Sequence, residues 1–387
     1  MRRIIALTLG ATLPPLAFAS EPVGDVVFTP TAEVRPRGEA RATLDGSDAL
    51  LSVNQRTRLG GTFSADSRIS AEVVFQDVRL WGEELDTLKD YSAAGIDLHV
   101  GALRWNPVDP VTLVVGRQVI AFHEERIVGG VEWAPQGRHF DAVRLTLERG
   151  PLSADVVGTV LFEPDSLVVP TNAAAGMLRA GWSPRPAFLI DALYLVDVDD
   201  GTDRTRHTVG AFSKAGTEVF ALRLEGYYQA GEAGTLSLAS HMVGISASYS
   251  PKVALEPKLT LWFDRLSGDD DLADGTLTGF EPTWQTGHKY YGRMDLFFAT
   301  PVDATGRGLH DAAVKFQAAP AKGAQVNLDV HAMLAAAGDD GHLGEEVDLW
   351  WTQSVGKHFK VVAGAAAFIP TEGDISTFGW LELGAKY

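Results

Sequence analysis

The chain has 387 residues, with 33 Lys and Arg against 50 Asp and Glu, a formal charge of −17 and no cysteine. The missing cysteine excludes disulfide scaffolds, thiol catalysis, iron–sulfur clusters and thiolate zinc sites, and the acidic balance argues against nucleic acid, whose binding needs a basic face. The length exceeds that of one ordinary domain unless a single closed sheet takes up all of it.

Arg2 and Arg3 precede an apolar stretch from Ile4 to Leu13, and Ala17-Phe18-Ala19 follows. A charged start, a short apolar run and a small-x-small site together read as a secretory leader over residues 1–19. Residues 20–387 are then one mature domain outside the inner membrane. They contain no apolar run of about 18 residues, so no membrane-spanning helix is expected.

From residue 30 onward the pattern is alternation. In Thr31–Arg41, Glu33, Arg35, Arg37, Glu39 and Arg41 share one parity, against Ala32, Val34, Pro36, Gly38 and Ala40 on the other. A period of two is an extended strand with one polar face. Eighteen such segments are predicted, at 30–41, 51–62, 67–80, 95–105, 110–121, 138–149, 152–163, 174–182, 187–197, 204–215, 218–229, 236–249, 256–266, 308–318, 323–334, 344–356, 357–368 and 378–387. Most run about 9–12 residues, the length that a tilted strand needs to cross a bilayer, against about 5–6 in soluble sheets.

The connections alternate too. Asn106–Pro110, Arg149–Pro151, Ser183–Pro186, Lys214–Gly216, Pro320–Gly323 and Gly356–His358 are tight, whereas Trp81–Gly95, Ala121–Gly137 and Ser267–Arg307 are long. Short turns on one rim and long loops on the other predict an all-β, up-and-down antiparallel transmembrane barrel of about 18 strands, with periplasmic turns and extracellular loops. Trp380 to Tyr387 ends on an aromatic residue with apolar residues two and four before it, similar to the signal that the barrel-assembly machinery reads. The expected place is the outer membrane of a Gram-negative bacterium, among outer-membrane lipids.

In such a barrel charges point inward, because one on the lipid face costs about 2–4 kcal/mol at the midplane. Parity then nominates Arg35, Arg37, Arg41, Arg56, Arg58, Arg68, Arg144, Arg223, Arg265 and Lys315 for the lumen, with Glu33, Glu39, Glu72 and Glu225 among them. The net −17 is carried largely by loops such as Glu83–Asp86, Asp197–Asp200, Gly268–Asp271 and Asp339-Asp340. A cationic pore inside an acidic protein is consistent, because the local field governs what passes.

Three stretches resemble the alginate-export family of outer-membrane barrels. They are Gln76–Glu84; then Gly116-Arg117-Gln118 with Arg126-x-Val-Gly129, Trp133 and Gly137-Arg138-x-Phe-Asp141-Ala-Val-Arg144-Leu145; and Ser267–Asp270 through Phe280-Glu-Pro282-Thr-Trp284 to Thr286-Gly-His288-Lys-Tyr-Tyr-Gly292-x-Met-Asp295. Glu345–Leu349 looks similar as well. The resemblance implies a monomeric barrel that secretes an anionic polysaccharide through an arginine-lined constriction, with periplasmic export partners. Carried over by motif position, Arg117, Arg126, Arg138 and Arg144 are the basic residues of that constriction, and Asp141 is a pairing or selectivity partner.

No catalytic signature competes. His123-Glu124-Glu125 lacks the second histidine of a zinc-protease helix, and no nucleophile elbow, P-loop or dinucleotide fingerprint is present. His288 with Asp295 or Asp270 is the one cluster that could serve an enzyme. Asp269–Asp274 is read as a solvated acidic loop in preference to a calcium loop. Trp81, Trp105, Trp133, Trp182, Trp350, Trp351 and Trp380 are expected in an interfacial girdle. The function expected is a channel for an anionic saccharide or polysaccharide, with no enzymatic activity, cofactor or metal. The alternatives are a substrate-selective porin importing small organic anions or nutrients, and a plugged barrel that transports nothing.

Overall fold

A computed structural model describes residues 22–387 apart from 24, 44–48, 84–94, 163–172, 272 and 339–340. The expected leader, Glu84–Asp86 and Asp339-Asp340 lie outside the described residues.

Eighteen strands form one closed antiparallel wall. They are β1 Val26–Thr43, β2 Leu50–Ser64, β3 Ile69–Leu80, β4 Ile96–Trp105, β5 Val111–Gln118, β6 Phe140–Arg149, β7 Leu152–Phe162, β8 Ala173–Arg185, β9 Phe188–Asp199, β10 Arg204–Gly216, β11 Phe220–Ala233, β12 Leu236–Tyr249, β13 Lys258–Leu266, β14 Leu309–Ala318, β15 Ala324–Leu334, β16 His342–Val355, β17 Phe359–Pro370 and β18 Ser376–Lys386. Two-residue pieces at Pro22–Val23 and Thr276–Leu277 pair along β1 and β12. Each strand pairs with the next, and β18 returns to β1, with Glu33 opposite Lys386 and Arg37 opposite Glu382. Every predicted segment carries one wall strand, with ends displaced by at most four residues.

Alternation places a continuous apolar band outside. Leu59 on β2, Leu145 on β6, Leu261 on β13, Leu349 on β16 and Leu381 on β18 are all exposed, as lipid-facing residues of a barrel must be. Among the described residues no helix is long and apolar enough to cross a membrane; the strands do so.

The interior is not a simple polar tube. Met177, Leu193, Leu195, Met242, Leu266, Leu309 and Met333 face inward and are buried. They pack against Ile120, Phe122, Ile127, Val128, Phe280, Tyr290, Tyr291, Met294 and Phe297. Those partners come from two connections, loop A (119–139, between β5 and β6) and loop B (267–308, between β13 and β14). The core of this protein therefore lies inside the barrel. Two loops fold inward to build it.

Candidate functional site

Loops A and B meet edge to edge. Gly129 N donates to Trp284 O (2.8 Å), Trp284 N to Ile127 O (2.8 Å) and Thr286 N to Glu125 O (2.9 Å). Arg138 donates to the carbonyls of Gly129, Trp284 and Gln285, and burial pushes its guanidinium down to about 10. The two most specific sequence motifs thus form a single inward-folded unit.

The arginines of the first two strands hold that unit in place. Arg35 donates to the carbonyls of Glu132 (2.6 Å) and Ala134 (3.0 Å), and Arg37 to that of Trp133 (2.6 Å) while lying 4.1 Å over its ring. Arg56 grips Glu33 (2.5 Å) and Glu132 (2.9 Å), and Arg58 reaches Glu132 (3.0 Å) and the Gln136 carbonyl (3.2 Å). Trp133 stacks on His288 at 3.8 Å and meets Trp380 edge-on. The four arginines point inward, as parity requires. Their partners are loop A and neighbouring side chains.

Arg126 is the centre of the unit and is completely buried. It donates to Glu225 (2.7 Å), Asp264 (2.6 Å) and the Tyr291 hydroxyl (2.7 Å), with the Tyr290 ring 3.4 Å from its guanidinium carbon. Two carboxylates surround one guanidinium, so this arginine braces the loop and offers nothing to a passing anion. Arg144 faces the lumen beside Asp155 (2.8 Å), which Arg179 also holds. Arg41 on β1 donates to the Met294 carbonyl of loop B.

Other expected positions stand elsewhere. Arg117 and Asp141 do pair (2.8 Å), with Asp97 a further 3.5 Å partner, but they share the parity of exposed Val115 and Val143. The pair therefore lies on the outer face at the extracellular rim, away from any constriction. Arg265 shares the parity of exposed Leu261 and Phe263, so it also points outward, beside His310. Arg68 sits in the exposed turn between β2 and β3, its own amide bonded to Asp66. All of these stand at strand ends, where the cost of an outward charge falls to about 0–1 kcal/mol. Trp133, Trp350 and Trp380 face the interior, whereas Trp81, Trp105, Trp182 and Trp351 are exposed.

Two cavities remain on either side of the folded loops. The periplasmic one, about 470 Å³, is lined by Lys214, Arg223, Lys258, Lys289, Arg293 and Lys315 against only Glu124 and Asp329. Arg223 and Lys315 approach the Trp262 ring (4.4 and 5.1 Å), and Arg293 covers Trp350 (3.9 Å). Arg223 Nη1, Asn327 Nδ2 and Trp262 Nε1 line this cavity as buried donors without a hydrogen-bond partner. Buried donors left open cost free energy until something accepts from them. The extracellular cavity, about 550 Å³, mixes Arg138, Arg204 and Arg206 with Asp269 and Glu281.

Of the periplasmic set, Arg223 and Lys315 follow from parity. Lys258 and Trp262 had the same signal, sharing the inward face of β13 with Asp264. Lys289 and Arg293 belong to loop B, and no periodicity signals that a loop turns inward.

His288 and Asp295 do come together, Nδ1 lying 3.0 Å from Oδ1, but Arg293 Nη1 occupies Nε2 at 3.0 Å and Trp133 covers the ring. Asp269, Asp271 and Asp274 accept backbone amides of their own turn. Among the described residues no group of side chains has the arrangement of a metal site.

Comparison with known proteins places this geometry. A sequence profile described as alginate export matches residues 32–300, which span most of the wall, all of loop A and most of loop B. The chain belongs to the alginate-export family.

No curated protein sequence matches it. Solved structures similar to this member of the family are OccAB4 of Acinetobacter baumannii (TM-score 0.64, 11% identity, 92% of this chain and 97% of that one) and OccK11 (OpdR) of Pseudomonas aeruginosa (TM-score 0.62, 13% identity, 94% and 96%). A third is OpdO of Pseudomonas aeruginosa (TM-score 0.63, 13% identity, 92% and 96%). At such identities the likeness is one of fold. The family and these neighbours place the barrel in a Gram-negative outer membrane, as a channel.

Proposed function

We propose that this barrel passes an anionic saccharide or polysaccharide, entering from the periplasmic side through a cationic vestibule. The observation that carries the reading is the periplasmic cavity. Six cations line it against two carboxylates, with Glu225 and Glu125 bonded to Arg223 and Lys289 from outside the lining, and three buried donors stand open beside two indole rings. A carboxylated sugar supplies what the lining lacks: an acceptor for the Arg223 Nη1 that Glu225 and Glu124 leave open, hydroxyl acceptors for the amide and indole, and a ring face for stacking. The inward arginines of β1 and β2 contribute as the frame that fixes loop A, and Arg144 and Arg223 as wall cations nearer the path. Passage is diffusive and involves no catalytic step.

The test is conductance in planar bilayers under a salt gradient. Anion selectivity and block by uronate oligomers added on the periplasmic side are expected. Cation selectivity, or equal indifference to charged and neutral oligomers, overturns the reading.

A second reading, uptake of a small organic anion, draws on the two loops. They divide the lumen into cavities of about 470 and 550 Å³, sizes that suit small ligands. Block by monomeric carboxylates but not by oligomers favours it.

A further inference from the structure

Arg265 is a cation facing lipid, with no counter-charge among the described residues. It stands one residue from the extracellular end of β13, on the parity of Leu261 and Phe263. Among the described residues its only side-chain partner is His310 Nε2, at 2.5 Å, directly opposite on β14. His310 in turn lies beside the outward Phe263 ring (5.9 Å). On the other side Arg265 is opposite Val243, so exposed His241 stands two residues further up the same outer face of β12, a diagonal spacing of about 7–8 Å. Exposed Tyr228 is opposite His241. The outer face of β11–β14 thus carries an aromatic row and, at or just above its level, one guanidinium and two imidazoles. The rim pair on β5 and β6 is different, because Arg117 is neutralised there by Asp141 and Asp97.

We propose that Arg265, His310 and His241 form a binding site for a phosphate of the phosphorylated glycolipid that makes up the outer leaflet. The level is right: the site sits where hydrocarbon gives way to headgroups, on the side of the long loops. The chemistry is right as well. A guanidinium donates to a phosphate in two-point fashion, imidazole N–H groups can donate to it as well, and the neighbouring aromatic rings suit an interface between acyl chains and headgroups. Basic residues at a membrane interface are one means by which membrane proteins recognise anionic lipid headgroups. The site is independent of what the pore carries.

The test uses purified full-length protein and native mass spectrometry with three probes: lipid A, dephosphorylated lipid A, and phosphatidylglycerol. Wild type is expected to retain lipid A, with about five- to tenfold weaker retention in the Arg265→Ala/His310→Ala variant. Arg117→Ala should retain it like wild type. Equal retention of dephosphorylated lipid A by wild type overturns the proposal, and that comparison needs no variant to fold. Equal retention of phosphatidylglycerol, or unchanged binding in a double variant that keeps wild-type heat-modifiable mobility on gels, overturns it too.

Discussion

Glu132 Oε2 lies 2.9 Å from Arg56 Nη2, and the same oxygen lies 3.0 Å from Arg58 Nη1. A carboxylate of the protein thus occupies a guanidinium pair that a substrate carboxylate would otherwise fit. Burial works against its charge, but Arg56 and then Arg58 outweigh that and hold the carboxyl below its ordinary range. Its contribution to docking is therefore full above the unfolded carboxylate pKa and is lost only as pH falls through the lowered value.

Glu132→Gln should loosen loop A and raise single-channel conductance at neutral pH. The contacts removed amount to about 1–2 kcal/mol after allowing for a side chain that is half exposed. Unchanged conductance and unchanged gating noise would show that Glu132 does not hold the loop.

Arg126→Met should be far more damaging. It leaves Asp264 buried without a guanidinium and Glu225 with Arg223 alone, a loss of about 3–5 kcal/mol. Adding Glu225→Gln and Asp264→Asn should restore part of it, because the uncompensated charge is what costs. Heat-modifiable mobility and protease resistance of loop A report both effects.

The periplasmic cations should act on substrate and not on folding. Lys258→Ala and Lys315→Ala, singly, are expected to weaken block by uronate oligomers about two- to fivefold each, or about 0.4–1 kcal/mol. The reversal potential should move toward the cation side. Loss of folded protein in either variant would assign these lysines to the wall instead.

His288 gives a pH signature. Arg293 donates to Nε2, so Nδ1 carries the proton donated to Asp295. Burial lowers the imidazole to about 4 despite the upward pull of Asp295. A depressed value means that the neutral, docked form is fully favoured above about 6.5. That support is lost as pH falls through about 4, when Nε2 gains a proton and repels Arg293. Channel noise from loop B should rise near pH 4, and His288→Gln should remove that step.

The wall was legible in the sequence because a lipid-facing strand has no freedom: each residue must face oil or water, and a period of two records the choice. The same rule misplaces Arg265, and motif position misplaces Arg117 and Asp141, at strand ends, where an outward charge costs little. Arg35, Arg37, Arg56 and Arg58 were placed on the correct face, but their partners were not foreseeable. Half of the hydrogen bonds they donate go to carbonyls of loop A, and a carbonyl has no residue type. Gly292 is a related case. Its φ of +86° and a Glu346 carboxyl carbon 2.3 Å from where a Cβ would stand explain a glycine in loop B that periodicity leaves silent.

The seam between β1 and β18 bears on assembly. Ala32 N donates to Tyr387 O (3.1 Å) and Tyr387 N to Ala32 O (2.8 Å), so the strand made first closes on the strand made last. Until β18 exists, β1 presents an unsatisfied edge, and so does whichever strand is newest. Such edges invite pairing with other chains. The wall is thus complete only once β18 has been made, and both growing edges must stay unpaired until the ring is shut.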